Sequence, residues 1–151
     1  MQSRCTKFRF APLSADQMRI QLDRVVASEK LTITDDGYEA LIKLSTGDMR
    51  KALNVMQSTS MGFGVVDARN VYLCTGHPLP DDIMAMLQCM LTESFATAYD
   101  TILATKTTKG YALQDILTDV HEYLHQLDLP ADCRIFLLDQ MGQIECVSKN
   151  K

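Results

Sequence analysis

An all-α fold is predicted by three features of this 151-residue chain. Apolar residues recur at three- and four-residue spacing along nearly its whole length, capping and stopping residues punctuate those runs, and only one short segment alternates as a strand would.

Cys5 to Phe10 is the one strand-like stretch, with Phe8 and Phe10 alternating against Lys7 and Arg9. Alone it has nothing to pair with, so it reads as an irregular arm or as the last strand of a sheet whose other strands are missing. Ser14 and Gln17 then form a capping box, and Met18, Leu22, Val25 and Val26 make the apolar stripe of the first helix. Thr34 caps a second helix that turns Tyr38, Ala40, Leu41 and Ile42 inward. Gly47 stops it, because glycine takes positive φ without a Cβ clash. Asp48 caps a third helix, which buries Met49, Ala52, Leu53 and Met56. Gly62 and Gly64 break the chain, and Asp67 caps a short helix to about Leu73.

Gly76-His77-Pro78-Leu79-Pro80 is the clearest hinge, since proline lacks the N–H that a continuing helix needs. Asp81 or Asp82 begins the next helix, with Ile83, Met84, Leu87, Met90 and Leu91. Ser94 caps another, carrying Phe95, Ala98, Tyr99 and Ile102 on one side, and Thr107 to Gly110 reads as a loop. Leu113 to Leu129 is a strongly amphipathic helix stopped by Pro130. The last helix starts near Ala131 and turns Ile135, Leu138, Met141 and Ile144 inward.

An apolar fraction of 46% supports a buried core and argues against disorder. A net charge of −4 excludes a broad nucleic-acid-binding face, so any DNA contact is local or shared with partners. The five cysteines include no C-x-x-C pair, which suits reduced intracellular thiols in either cytosol or nucleus. No apolar run reaches membrane-spanning length, and no membrane partner is expected.

The segment Ser45-Thr46-Gly47-Asp48-Met49-Arg50-Lys51 carries the strangest charge placement. Behind an Asp48 cap, Arg50 and Lys51 fall in the first helical turn, where the dipole disfavours cations. A negative ligand would compensate, and free N–H groups beside an arginine make a phosphate site. The competing reading is a solvated arginine tolerated at a helix start. His121-Glu122-Tyr123-Leu124-His125 matches H-E-x-x-H, with Glu145 as a conceivable third zinc ligand. With no sheet upstream to bind a peptide, it is read as boundary packing, and no metal is expected. The nine methionines read as core filling, and Lys106 and Lys109 as solvated. There is no G-x-x-x-x-G-K-[ST] loop, and the sequence alone justifies no nucleophile–base pair.

Two segments together go further. Ser3-Arg4-Cys5, followed by Thr6-Lys7-Phe8-Arg9-Phe10, resembles the S-R-C motif and following strand of replication factor C small subunits, AAA+ ATPases of the sliding-clamp loader. Gly47-Asp48-Met49-Arg50-Lys51-Ala52-Leu53-Asn54 resembles the sensor-2 segment of that family. Glu29-Lys30-Leu31, Cys74-Thr75-Gly76-His77-Pro78, Lys109-Gly110-Tyr111-Ala112-Leu113 and Gln143-Ile144-Glu145 extend the resemblance over nearly the whole chain. It is closest to the eukaryotic subunit-five type.

The resemblance implies a helical lid over 12–77 and a partial oligomerisation collar over 78–151, with 1–11 a remnant of the ATPase domain. It implies that Arg4 is an arginine finger reaching the ATP of a neighbouring subunit. Arg50, with Asp48 and Met49, would contact ATP bound to its own subunit. ATP is then the cofactor of the intact subunit, with none expected for this chain alone, and the localisation is nuclear. The partners are the other subunits of a heteropentamer and, through it, the sliding clamp and primer–template DNA, in replication and repair. The Walker A and B parts are absent, so the chain reads as a C-terminal fragment that is inactive alone as an ATPase. The rival readings are a purely structural assembly module and the lid of another AAA+ ATPase.

Overall fold

The computed structural model describes residues 8, 11–127 and 130–149. Among them the fold is all-α: eight helices and one two-stranded sheet of two residues per strand. The chain divides into two compact units, Met1–Thr75 and Gly76–Lys151.

In the first unit, α1 (Ala15–Glu29) starts at the predicted capping box, with Ser14 and Gln17 exchanging side-chain and backbone contacts, and it buries Met18 and Leu22 completely. α2 (Asp35–Ser45), α3 (Met49–Phe63) and α4 (Ala68–Thr75) pack against one another. They bury Leu41, Ala52, Met56, Val66 and Val71 between them. Gly62 does not break α3. The helix runs through it and stops at Gly64, whose φ is 79°.

The sheet was not foreseen. β1 (Thr32–Ile33) pairs in parallel with β2 (Val65–Val66), Thr32 opposite Val65 and Ile33 opposite Val66. Two residues per strand are too few for alternation to show in a sequence. The pairing is held at its end by Thr34, whose N–H and hydroxyl both donate to the Val66 carbonyl, at 3.1 and 3.3 Å. Of the strand expected over Cys5 to Phe10, only Phe8 lies among the described residues. It sits in irregular, exposed chain.

The second unit holds α5 (Pro80–Thr92), α6 (Phe95–Lys109), α7 (Leu113–Gln126) and α8 (Ala131–Lys149). Ile83, Met86, Leu87, Tyr111, Ile116, Val120 and Leu124 form its core. Three expectations are corrected here. α5 begins at Pro80 rather than at Asp81 or Asp82, because a proline in the first turn gives up an N–H that would be unpaired anyway. Thr107 to Lys109 is helix, not loop: α6 continues to Gly110, and the Thr101, Thr105 and Thr107 hydroxyls donate to carbonyls one turn back. Ile135 and Ile144, expected to turn inward, are 67% and 48% exposed, and of the expected side of α6 Ala98 is buried while Phe95 is 86% exposed.

His77, just inside this unit, lies between two carboxylates one turn apart on α7. Its Nδ1 is 3.6 Å from Asp115 and its Nε2 is 3.4 Å from Asp119. The contact with Asp119 raises the imidazole pKa above its ordinary value, against the opposing effect of burial, and Asp115 adds to the rise. A raised folded-state pKa stabilises below the unfolded value and is lost as pH rises through the folded one. Between about pH 6 and pH 8, the chain should therefore lose on the order of 1 kcal/mol or less from this pair. His77→Gln should flatten that part of the dependence of Tm on pH. A slope as steep in the variant as in the parent would exclude the ion pair as its cause.

Candidate functional site

The helix start singled out in the sequence forms as expected. Thr46 ends α2 in the left-handed region (φ 50°) and Gly47 follows at φ 84°. Asp48 then caps α3, and its Oδ1 accepts from the Arg50 N–H at 2.9 Å and from the Lys51 N–H at 3.3 Å. A carboxylate at that end of a helix satisfies two of the N–H groups that have no partner within it.

This sharpens the phosphate reading. The N–H groups of Arg50 and Lys51 are taken by Asp48, so the backbone does not offer them to an anion. What remains is the Arg50 side chain, which is exposed and free of ion pairs among the described residues. Asp48 thus fixes the helix start, and the Arg50 side chain is the cationic group it leaves exposed. Met49 is half-buried, and Ala52, two positions beyond Arg50, is fully buried, so the first turn of α3 is anchored on one face and open on the other. Arg4 lies outside the described residues.

The other candidates resolve differently. His121 and His125 do stand together, with ring centroids 4.7 Å apart and planes nearly perpendicular, and both are exposed. His121 and Glu145 line the same groove between α7 and α8, together with Asp115, Thr118 and Leu138. Yet among the described residues no group of three or more His, Cys, Asp or Glu side chains is placed to hold a metal ion. Lys109 is not merely solvated, because its Nζ meets both oxygens of Asp82 at 2.7 and 2.6 Å. The methionines are divided: Met18, Met56 and Met86 fill core, while Met61 and Met84 are exposed.

Sequence reasoning missed the two long-range polar clusters, His77 with Asp115 and Asp119, and Asp82 with Lys109 and Tyr111. Each joins residues at least 27 positions apart, beyond the reach of any local spacing rule.

Comparison with known proteins gives two consecutive domain matches. Residues 21–61 match an RCF1/5-like, AAA+ ATPase lid domain, and residues 78–147 match the replication factor C C-terminal domain. The chain is 52% identical over 145 residues to replication factor C subunit 5 of Homo sapiens, covering 96% of this chain and 43% of that protein. The subunit 5 protein of Mus musculus gives the same figures. Replication factor C subunit 3 of Schizosaccharomyces pombe is 43% identical, with 96% and 42% covered. The chain therefore spans about two fifths of the length of the curated relatives it matches.

Proposed function

Because the chain belongs to the replication factor C family, we propose that it supplies the lid and the subunit-binding collar of a clamp-loader small subunit. In this reading the loader uses ATP to place a sliding clamp on primer–template DNA, in the nucleus, during replication and repair. Arg50 touches the phosphates of ATP held by its own subunit, and Arg4 reaches the ATP of a neighbour. ATP belongs to the complete subunit and not to these 151 residues, which carry no Walker A pattern.

The observation that carries the reading is the exposed Arg50 on a capped helix start, inside a lid-type segment that precedes a C-terminal-domain segment. A guanidinium carried at this position stabilises charge on a transferring phosphoryl group.

The test uses complete subunits assembled with their partner subunits. Arg50→Ala should lower ATP affinity and hydrolysis at its own site by about tenfold or more, and Arg4→Ala should lower hydrolysis at the adjacent site by a similar factor or more. Active-site-blocked neighbours assign each loss to a site. Unchanged hydrolysis in both variants, with assembly intact, would favour the purely structural module instead. Failure to co-purify with other loader subunits would point to the lid of a different AAA+ protein.

A further inference from the structure

We propose that Gly47 is a positioning residue for Arg50: the Pro12–Leu13 segment packs into the space left by its missing side chain and fixes the first turn of α3. The proposal rests on the reading of Arg50 given above and names what holds that arginine in place.

Gly47 is needed for two separate reasons. Its φ of 84° lies where a side chain is strained, and a Cβ built there would stand 2.7 Å from the Pro12 Cβ and 3.3 Å from the Leu13 carbonyl oxygen. The Leu13 N–H also donates to the Gly47 carbonyl at 3.3 Å. The segment is therefore both packed against the glycine and hydrogen-bonded to it.

The contact between Leu13 and Gly47 is anchored on both sides. On one side Ser14, the next residue, is locked as the N-cap of α1 by its exchange with Gln17. On the other, Asp48 donates its N–H to the Ser45 carbonyl at 3.0 Å and accepts from the Arg50 N–H. The contacts run without a gap from the start of α1, through Leu13, Gly47 and Asp48, to the backbone of Arg50. A methyl group added at Gly47 must displace Pro12, tilt the first turn of α3, or both. A shift of an ångström in a charged group is enough to weaken a phosphate contact by an order of magnitude.

The experiment measures ATP binding by equilibrium titration to the complete subunit assembled with its partner subunits. Gly47→Ala should weaken ATP binding at this subunit by about tenfold, and should cost nothing further in an Arg50→Ala background, because it acts through that side chain. Adding Pro12→Gly to Gly47→Ala should return part of the lost affinity, since the clashing Cβ is gone. If Gly47→Ala does not assemble, Pro12→Gly alone carries the test: it loosens the segment, and it should weaken ATP binding in the parent but not in Arg50→Ala. An equal loss with and without Arg50 overturns the proposal. An Arg50→Ala subunit that binds ATP as well as the parent overturns the underlying reading of Arg50 instead.

Discussion

Gly37→Ala should be the most damaging single methyl group that can be added to this chain, costing about 3 kcal/mol or more. A Cβ at Gly37 would lie 2.3 Å from the carbonyl oxygen of Val66, 3.0 Å from its carbon and 3.2 Å from the Asp67 Cα. All three are backbone atoms, so no side chain can turn aside. The start of α2 would have to separate from β2, and four contacts tie the stretch from β1 to the start of α2 onto β2 and the start of α4. The Thr34 N–H and hydroxyl both donate to that same Val66 oxygen. Ile33 pairs with Val66 in the small sheet. The Asp36 carboxylate accepts from the Ala68 N–H at 3.2 Å, capping α4 from across the unit. At about 1 kcal/mol for each hydrogen bond or cap, the loss of three accounts for the figure. For a unit of this size the unfolding midpoint should fall by roughly 15 °C. Gly62→Ala is the control. It sits within α3 with nothing inside 4 Å of its added Cβ, and it should leave Tm unchanged or raise it by an amount worth about 0.5–1 kcal/mol. Equal midpoints for the two variants would show that the close approach at Val66 is not what Gly37 serves.

Gly37 also shows where reading the sequence stops. The caps at Ser14, Thr34, Asp48 and Ser94 were legible because capping is the chemistry of one side chain on the N–H groups two or three residues later. The stop at Gly47 was legible because it takes the left-handed backbone that favours glycine. Gly37 sits inside a helix, where nothing local calls for glycine; the demand comes from a strand 29 positions away. The threonine-rich end of α6 misled because threonine and lysine read as polar loop, whereas the Thr105 and Thr107 hydroxyls donate to the turn before them. At the candidate site, the helix start and its odd charges were visible in the sequence. That Pro12 and Leu13 pack against Gly47 was not, because the contact joins positions 12 and 13 to position 47.

Asp82→Ala should lower the stability of the second unit by about 2–3 kcal/mol, the larger of the two polar-cluster effects. Asp82 stands in the first turn of α5, where a negative charge also suits the helix dipole. Its side chain is 19% exposed and meets the Lys109 ammonium, while the Tyr111 hydroxyl donates to its Oδ2 at 2.6 Å. Burial pushes the carboxyl pKa up, but Lys109 and Tyr111 together outweigh it and hold the value below the ordinary one. Removing the carboxylate leaves unequal debris. Lys109, 42% exposed, can return to water at little cost. Tyr111 is buried against Ile83, Leu87 and Ile116, and its hydroxyl is left without this acceptor, which is where most of the loss falls. The pH dependence has a fixed sign. A depressed carboxyl pKa stabilises above the unfolded value and is lost as pH falls through the folded one, so parent and variant should converge below about pH 4. The Tyr111 phenol is pushed up to about 12 by burial first and by Asp82 second. Its contribution is thus present below about pH 10 and lost as pH rises through that higher value. Tyr111→Phe removes only the hydroxyl and should cost about 1 kcal/mol in the parent. In the Asp82→Ala background it should cost nothing or become stabilising, because the unpaired hydroxyl goes with it. If Tyr111→Phe costs the same in both backgrounds, the two groups are not coupled and the bond at 2.6 Å is not what holds α5 to the segment between α6 and α7.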